Sequence, residues 1–363
     1  MLKVLHGADF HLDAPFRALP PEKAAQRREE QRDLLLRLAD TVREQGVELV
    51  LLAGDLLDSE QIYGETAQLL ARALGSMGVP VFLAPGNHDF WSPRSPYARI
   101  QWPENVHIFH TAQAEAVPLP RLGCTVYGAA FTAPARADRV LEGFRAEGEG
   151  LRLMVLHGST EPTDRYGPVP AADIAASGLD YLALGHVHTA SGLNRTGDTW
   201  WAYPGCPEGR GFDETGDKGV YCLEIDKGQV RETFLPLCRR RYVEKEADLA
   251  GRPAAEVLDA LLPREESPDC WRVTLTGERG EEEPDLRALE AMAKSRCYSL
   301  TLRDRTRLRR ALWDRAQEDT LTGLFLRAMA KRRDQARDET QQTAVEEAVR
   351  FGLAALEHRE DPK

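Results

Sequence analysis

Five short clusters of aspartate, asparagine and histidine carry the residue types that could do chemistry in this 363-residue chain. They are Ala8-Asp9-Phe10-His11, Ala53-Gly54-Asp55, Pro85-Gly86-Asn87-His88-Asp89, His157-Gly158 and Gly185-His186-Val187-His188. Asp9, His11, Asp55, Asn87, His157, His186 and His188 make seven candidate metal ligands. Seven donors are too many for one tetrahedral zinc, and none is a thiolate. Carboxylate, amide and imidazole donors suit two divalent ions of the first transition row. Asp55 stands alone in its cluster and is the expected bridging carboxylate. Two such ions can activate a water for in-line attack on phosphorus and stabilise the charge that builds on the phosphoryl oxygens. His88, beside Asn87, is placed to give a proton or hydrogen bond to the leaving oxygen. Asp89 is expected to accept from that imidazole and hold it protonated. The plainer reading of Asp89 is a turn or helix cap.

The elements needed to position these residues are visible in the hydrophobic pattern. Each cluster follows an apolar run: Leu2–Leu5, Val47–Leu52, Val79–Ala84, Leu151–Leu156 and Tyr181–Leu184. Continuous apolar runs of this length read as strands buried on both faces. Helical spacing between them predicts helices over Pro21–Gln45, with Leu34, Leu35, Leu38 and Val42 inward, and over Thr66–Met77. Ligands in open α/β sheets bind beyond the carboxyl ends of the strands, so one sheet could bring all the clusters to one rim. Val220–Ile225 alternates and meets Asp226-Lys227-Gly228, which predicts a hairpin. Further on, helices are expected over Pro253–Leu262 and Pro284–Lys294, and strands over Trp271–Thr276 and Cys297–Leu302. From about Thr306 the chain reads as helical, with one stripe of Leu321, Leu324, Phe325 and Met329 and another of Val345, Val349, Leu353 and Leu356. Such stripes either pack on the chain's own core or dock another protein.

Composition narrows the class. Hydrophobic residues make 42% and charged residues 29% of the chain, an ordinary globular balance. No apolar run approaches the roughly 20 residues that span a bilayer, and the start of the chain lacks a signal-peptide pattern. The six cysteines are scattered without a CxxC pair, which fits reduced thiols and a cytoplasmic protein. A net charge of −11 argues against coating nucleic acid through a broad basic surface. It leaves open a grip on phosphodiesters through bound cations.

The motif series resembles the calcineurin-like metallophosphoesterase superfamily. Within it, Ala8 to Phe16, Ala53 to Asp58, and the stretch from Tyr203 through Glu214 to Lys218-Gly219 look like DNA repair exonuclease subunits of the SbcD and YhaO type. The likeness is good over residues 1–235 and poor beyond. It implies an α/β chain built as a four-layer αββα metallophosphoesterase sandwich over 1–238, a small α/β capping domain over 239–303 and a helical docking segment over 304–363. It further implies two divalent ions, manganese first, with magnesium, iron(II) or zinc as alternatives. The implied activity is DNA 3′-to-5′ exonuclease with single-strand endonuclease action in DNA repair. The implied partners are DNA ends, an SMC-like coiled-coil ATPase and a second copy of the chain, with no membrane. Asp58 stands where archaeal and eukaryotic relatives often carry histidine; it reads equally as a helix N-cap.

Arg303, Arg305, Arg307, Arg309 and Arg310 form the densest basic run, which reads either as a phosphate contact or as a solvated face. Trp91, Tyr97 and Trp102 could stack on bases or close a loop core. Arg210 is a candidate phosphate clamp. Two other classes compete: a small-molecule phosphoesterase, and a mainly structural subunit that recruits the ATPase.

Overall fold

The computed structural model describes residues 1–17, 19–59, 62–279, 283–293, 295–308, 313–336 and 338–356. It divides into two units, one of Met1–Lys245, Pro263–Val273 and Glu290–Leu302, the other of Glu246–Leu262, Thr274–Leu289 and Arg303–Lys363.

The first unit opens with β1 (Leu2–Gly7), α1 (Pro21–Glu44), β2 (Leu49–Leu52), α2 (Gly64–Ser76) and β3 (Val81–Leu83). There follow α3 (Pro96–Arg99), β4 (Val106–Ile108), β5 (Glu115–Leu119), β6 (Cys124–Gly128) and β7 (Leu151–His157). Then come α4 (Ala171–Ala176), β8 (Tyr181–Gly185), β9 (Asn194–Thr196), β10 (Thr199–Ala202), β11 (Gly219–Asp226) and β12 (Gln229–Pro236). The strands form two six-stranded sheets, ordered β12-β11-β1-β2-β3-β4 and β5-β6-β7-β8-β10-β9. In the first, β1 to β4 run parallel and the β11–β12 hairpin joins antiparallel to β1. In the second, β6, β7, β8 and β10 run parallel, with β5 and β9 antiparallel at the edges.

Alternation along each strand explains why the sheets stack. On β2, Leu49 and Leu51 enter the layer between the sheets, while Val50 and Leu52 face α1 and α2. On β7, Leu153 and Val155 enter that same middle layer, while Met154 and Leu156 pack outward with Ile174 of α4. Every strand that carries a cluster is therefore apolar on both faces, and the result is a four-layer αββα sandwich. Pro20 and Pro21 open α1, where a missing N–H does no harm, and Gly46 at φ 63° follows its end. Strands β4, β5 and β6 carry no strong apolar run and are not foreseen by the pattern.

A buried ionic knot ties α1 to the segment after β10. Arg27, fully buried, donates from Nη1 to Glu30 Oε2 at 2.7 Å and from Nη2 to the Gly209 carbonyl at 2.8 Å. Its Nη1 also lies 2.9 Å from Glu208 Oε1, and Arg240 Nε donates to Glu30 Oε2 at 2.9 Å. Removing one charge from such a group leaves the others uncompensated in a low dielectric. Arg27→Met is expected to lower unfolding free energy by about 3–5 kcal/mol. Urea titration would show it as a fall in midpoint at unchanged slope.

The chain continues through β13 (Tyr242–Asp248), α5 (Ala254–Leu261), β14 (Ser267–Thr276), β15 (Glu278–Arg279), α6 (Leu286–Met292), β16 (Cys297–Asp304) and β17 (Arg307–Leu308). Strands β13, β14 and β16 form a three-stranded sheet, and β15 pairs with β17. The helices α7 (Leu321–Asp334) and α8 (Glu339–Leu356) close the described chain. Helix is expected from Thr306, but Arg307–Leu308 is strand and α7 starts only at Leu321, where Thr320 Oγ1 accepts from the Gly323 N–H. Arg303, Arg305 and Arg307 are exposed on β16, its following turn and β17, whereas Arg309 and Arg310 lie outside the described residues. Leu326, Met329, Val349 and Leu353 bury against one another, joined by Phe325 and Val345. The two stripes thus largely cover each other, while Leu321 and Leu324 stay exposed at 68% and 59%. No helix among the described residues is long and apolar enough to cross a membrane.

Candidate metal centre

The clusters after β1, β2 and β3 belong to the first sheet, and those after β7 and β8 to the second. The expectation of a single sheet is therefore corrected: the rim is shared by the carboxyl ends of two stacked sheets. Backbone bonds stitch it together. Asp9 N donates to Gly54 O at 3.0 Å, His11 N to Asp55 O at 2.9 Å, and Gly158 N to Gly185 O at 3.1 Å. The two sheets meet where His157 Nδ1 reaches the Ala53 carbonyl at 2.9 Å and His186 N donates to the Asp9 carboxylate at 3.1 Å.

The rim depends on two glycines. A Cβ on Gly185 would stand 1.9 Å from Ala53 O, and one on Gly86 would stand 2.2 Å from Asp55 Oδ1. Four candidate ligands themselves hold positive φ: Asp9 at 57°, His11 at 45°, Asp55 at 50° and His186 at 109°. Side-chain-bearing residues avoid this region, and its concentration here is strain held by the surrounding structure.

Six of the seven donors lie together in two overlapping groups, with the His186 ring beside the second. In the first, His11 Nε2 stands 3.2 Å from His188 Nε2, His188 Nε2 3.8 Å from Asp9 Oδ1, and His11 Nε2 3.9 Å from Asp55 Oδ2. In the second, His157 Nε2 stands 3.3 Å from the same Asp55 oxygen and 3.1 Å from Asn87 Oδ1. The His186 ring packs edge-on to His157 at 5.3 Å between centroids. Asp9, His11, Asp55 and His157 are buried, while Asn87, His186 and His188 are half-buried at the opening.

Donor chemistry tests whether cations belong here. The Ala53 carbonyl can only accept, so His157 Nδ1 carries its hydrogen and a neutral ring turns the Nε2 lone pair toward two oxygens. His188 Nδ1 lies 2.6 Å from Glu214 Oε1, which likewise leaves its Nε2 lone pair facing His11 Nε2. Lone pairs aimed at lone pairs are repulsive unless a cation or proton lies between them. The residues fit a pair of divalent cations, with Asp55 common to both positions.

Charge shifts agree. Burial pushes the Asp9 carboxyl up to about 6. Burial opposes charge on His157, but Asp55 beside it prevails and the imidazole rises to about 9. Burial also opposes charge on Asp55, yet His157 and His11 hold its carboxyl below the usual range. At pH 7 the His157 proton must leave when a cation arrives, and the His188 imidazole is also raised, since burial there is outweighed by Glu214, so Mn²⁺ uptake should release at least one proton per chain. Calorimetric titration in buffers of differing ionisation enthalpy reads this number. Uptake should weaken further as pH falls through about 6, where Asp9 also takes a proton; a buffer-independent heat would contradict the assignment.

Several expectations around the rim change. Asp89 does not receive the His88 imidazole. It is buried and accepts instead from the N–H groups of Asp55, Leu57 and Gly86 and from Tyr97 Oη. A side chain turning back into its own loop cannot also reach the ring that projects beside it. Asp89 organises the backbone that presents Asp55 and Asn87. His88 is exposed, its N–H donates to Asp55 Oδ1 at 2.9 Å, and its Nδ1 lies 3.2 Å from the Asp58 carbonyl. Among the described residues Asp58 caps no helix, and the N-cap of α2 is Tyr63. Its carboxylate lies 3.2 Å from His11 Nδ1, off the line of a good hydrogen bond, and 3.3 Å from Arg210 Nη1. Tyr97 is buried and Trp91 and Trp102 pack against the core, so all three close the loop. Glu214, given no role by the sequence, proves to be the partner of His188; its setting in a glycine-rich loop was the available signal.

The calcineurin-like phosphoesterase profile matches residues 2–190. The uncharacterised metallophosphoesterase YhaO of Bacillus subtilis (strain 168) is 32% identical over 304 residues, spanning 76% of this chain and 72% of that protein. A subunit of the nuclease SbcCD from Staphylococcus epidermidis is 24% identical over 278 residues, spanning 67% of this chain and 71% of the relative. The crystal structure of TT1561 from Thermus thermophilus aligns at a TM-score of 0.42 with 13% identity, over 65% of this chain and 99% of that one. Because the profile runs from β1 through β8 and takes in every one of the converging donors, the chain belongs to the calcineurin-like phosphoesterase family.

Proposed function

We propose that this protein is a divalent-metal-dependent nuclease that hydrolyses phosphodiester bonds at DNA ends, with manganese as its working metal. The observation that carries this reading is the openness of the donor cage: His88 is exposed, and His186 and His188 keep side-chain exposures of 22% and 28%. A polymer backbone can reach such a rim, where a closed cavity would admit only a small ligand. The similarity to a nuclease subunit supports a nucleic-acid substrate, and that relative's status as a subunit supports a partner chain, for which an SMC-like ATPase is the reading proposed.

The cations, when bound, supply Lewis-acid activation of water and of the phosphoryl group. Asp9, His11, Asp55 and His188 would hold one ion, and Asp55, Asn87, His157 and His186 the other. The chain's own part is orientation and proton movement. The Asp58 carbonyl can only accept, so His88 Nδ1 carries its hydrogen and Nε2 is the nitrogen left for a substrate. When protonated, that nitrogen can donate to the leaving oxygen.

The test is degradation of linear duplex and single-stranded DNA with and without Mn²⁺. Manganese-dependent shortening of the strands is expected. Turnover confined to para-nitrophenyl esters or cyclic nucleotides would move the assignment to a small-molecule phosphoesterase.

A further inference from the structure

The two imidazoles that face each other across the first cation position are held from behind by one ionic chain. Glu214 Oε1 accepts from His188 Nδ1 at 2.6 Å and from Arg210 Nη2 at 2.9 Å. Glu214 Oε2 accepts from the backbone N–H of Arg210 at 2.7 Å. On its other side, Arg210 Nη1 donates to Asp58 Oδ1 at 3.3 Å, and that oxygen lies 3.2 Å from His11 Nδ1. Arg210 Nη2 also comes within 3.1 Å of His188 Nδ1, because both donors converge on one Glu214 oxygen. The shorter contact to the Glu214 carboxylate, which can only accept, makes Nδ1 of His188 the protonated nitrogen and turns Nε2 toward His11. A single guanidinium thus joins the two carboxylates that stand behind His11 and His188.

We propose that Arg210 is a positioning residue for the first cation, acting through Glu214 and Asp58, and not a contact to substrate phosphate. The inference rests on the two-cation reading of the site but not on DNA as the substrate. Its planar fork satisfies two carboxylates at once, and turning toward a phosphate would release both. Without it, Asp58 and Glu214 add two uncompensated negative charges beside Asp9 and Asp55 and lose the anchor that fixes their direction. Partners behind metal-bound histidines set ring orientation and donor strength, and their loss weakens metal binding about 10–100-fold. Lysine at this position would supply charge without the fork.

The experiment is a Mn²⁺ titration of metal-free full-length protein, followed by the electron paramagnetic resonance of free Mn²⁺, with DNA absent. Wild type is expected to bind two ions. Arg210→Met and Arg210→Lys should both weaken one of the two by about 10–100-fold and leave the other in place. Glu214→Gln, which keeps the side chain's shape, should weaken the same ion and remains readable if the arginine variants fold poorly. Substrate KM at saturating Mn²⁺ should hold, and the loss in turnover should shrink as Mn²⁺ is raised. Wild-type Mn²⁺ binding together with a raised KM in the arginine variants would overturn the proposal and make Arg210 a substrate contact. Wild-type Mn²⁺ binding in Glu214→Gln would overturn it as well. A wild-type protein that takes up fewer than two ions would sink the two-cation reading itself, separately from any variant.

Discussion

Asp55→Asn should reduce phosphodiester hydrolysis about a thousandfold, and the protein should retain fewer than two metal ions after dialysis. One oxygen, Oδ2, stands 3.3 Å from His157 Nε2 and 3.9 Å from His11 Nε2, so the same carboxylate serves both donor groups. Neutralising it removes the carboxylate oxygen that faces an imidazole of each position. Two-ion catalysis requires both ions, and a thousandfold corresponds to about 4 kcal/mol of transition-state stabilisation. Asparagine is the informative replacement because Asp55 sits at φ 50°, a conformation that asparagine tolerates and alanine resists. Its amide oxygen can still accept from the His88 N–H, so the loop should keep its form. Metal analysis alongside the rate assay decides the matter. Near-normal turnover, or two tightly held ions, would remove Asp55 from its bridging place.

His88→Ala should lower kcat by about 10²–10⁴-fold while metal content stays at the wild-type level. The ring is exposed and is not one of the seven donors, although its ligand atom stands within 4.8 Å of those of His11 and Asp58. Truncation therefore leaves no buried cavity, and stability should change little. The defect should depend on the leaving group. A para-nitrophenolate departs without protonation, so bis(para-nitrophenyl) phosphate should lose much less activity than a DNA phosphodiester. An equal loss on both substrates, or departure of both metals, would assign His88 to the cage instead of to the leaving oxygen.

How far the fold and site can be read from the chain follows a physical division. Helix α1 is legible almost to the residue, Pro21–Glu44 against an expected end at Gln45, because its start and stop signals and apolar stripe are local. So are the strands that precede the clusters, whose continuous apolar runs come from burial on both faces. Strands β4 and β5 are not, because Glu115–Leu119 and Val106–Ile108 are only partly buried and their pattern is weak. Arg27 carries no local signal of burial, yet it is buried, since its partners Glu208 and Gly209 lie far along the chain. Asp89 and His88 are neighbours in the chain but not partners in space, because the carboxylate folds inward onto its own loop while the ring turns out.

Residue type and spacing alone determined the chemistry available to this protein: oxygen and imidazole donors, singly or two together, each at the end of a buried strand, with glycine beside most of them. Tertiary structure alone decided that these donors come from two sheets, that four of the ligand residues take positive φ, and which nitrogen of each ring faces inward. The reason is separation along the chain. His157 meets Ala53, His186 meets Asp9, and His188 is set by Glu214 and Arg210, contacts made across 104, 177, 26 and 22 residues. Local propensity acts over a few residues, so the direction of a ring or carboxylate is settled only when distant segments pack.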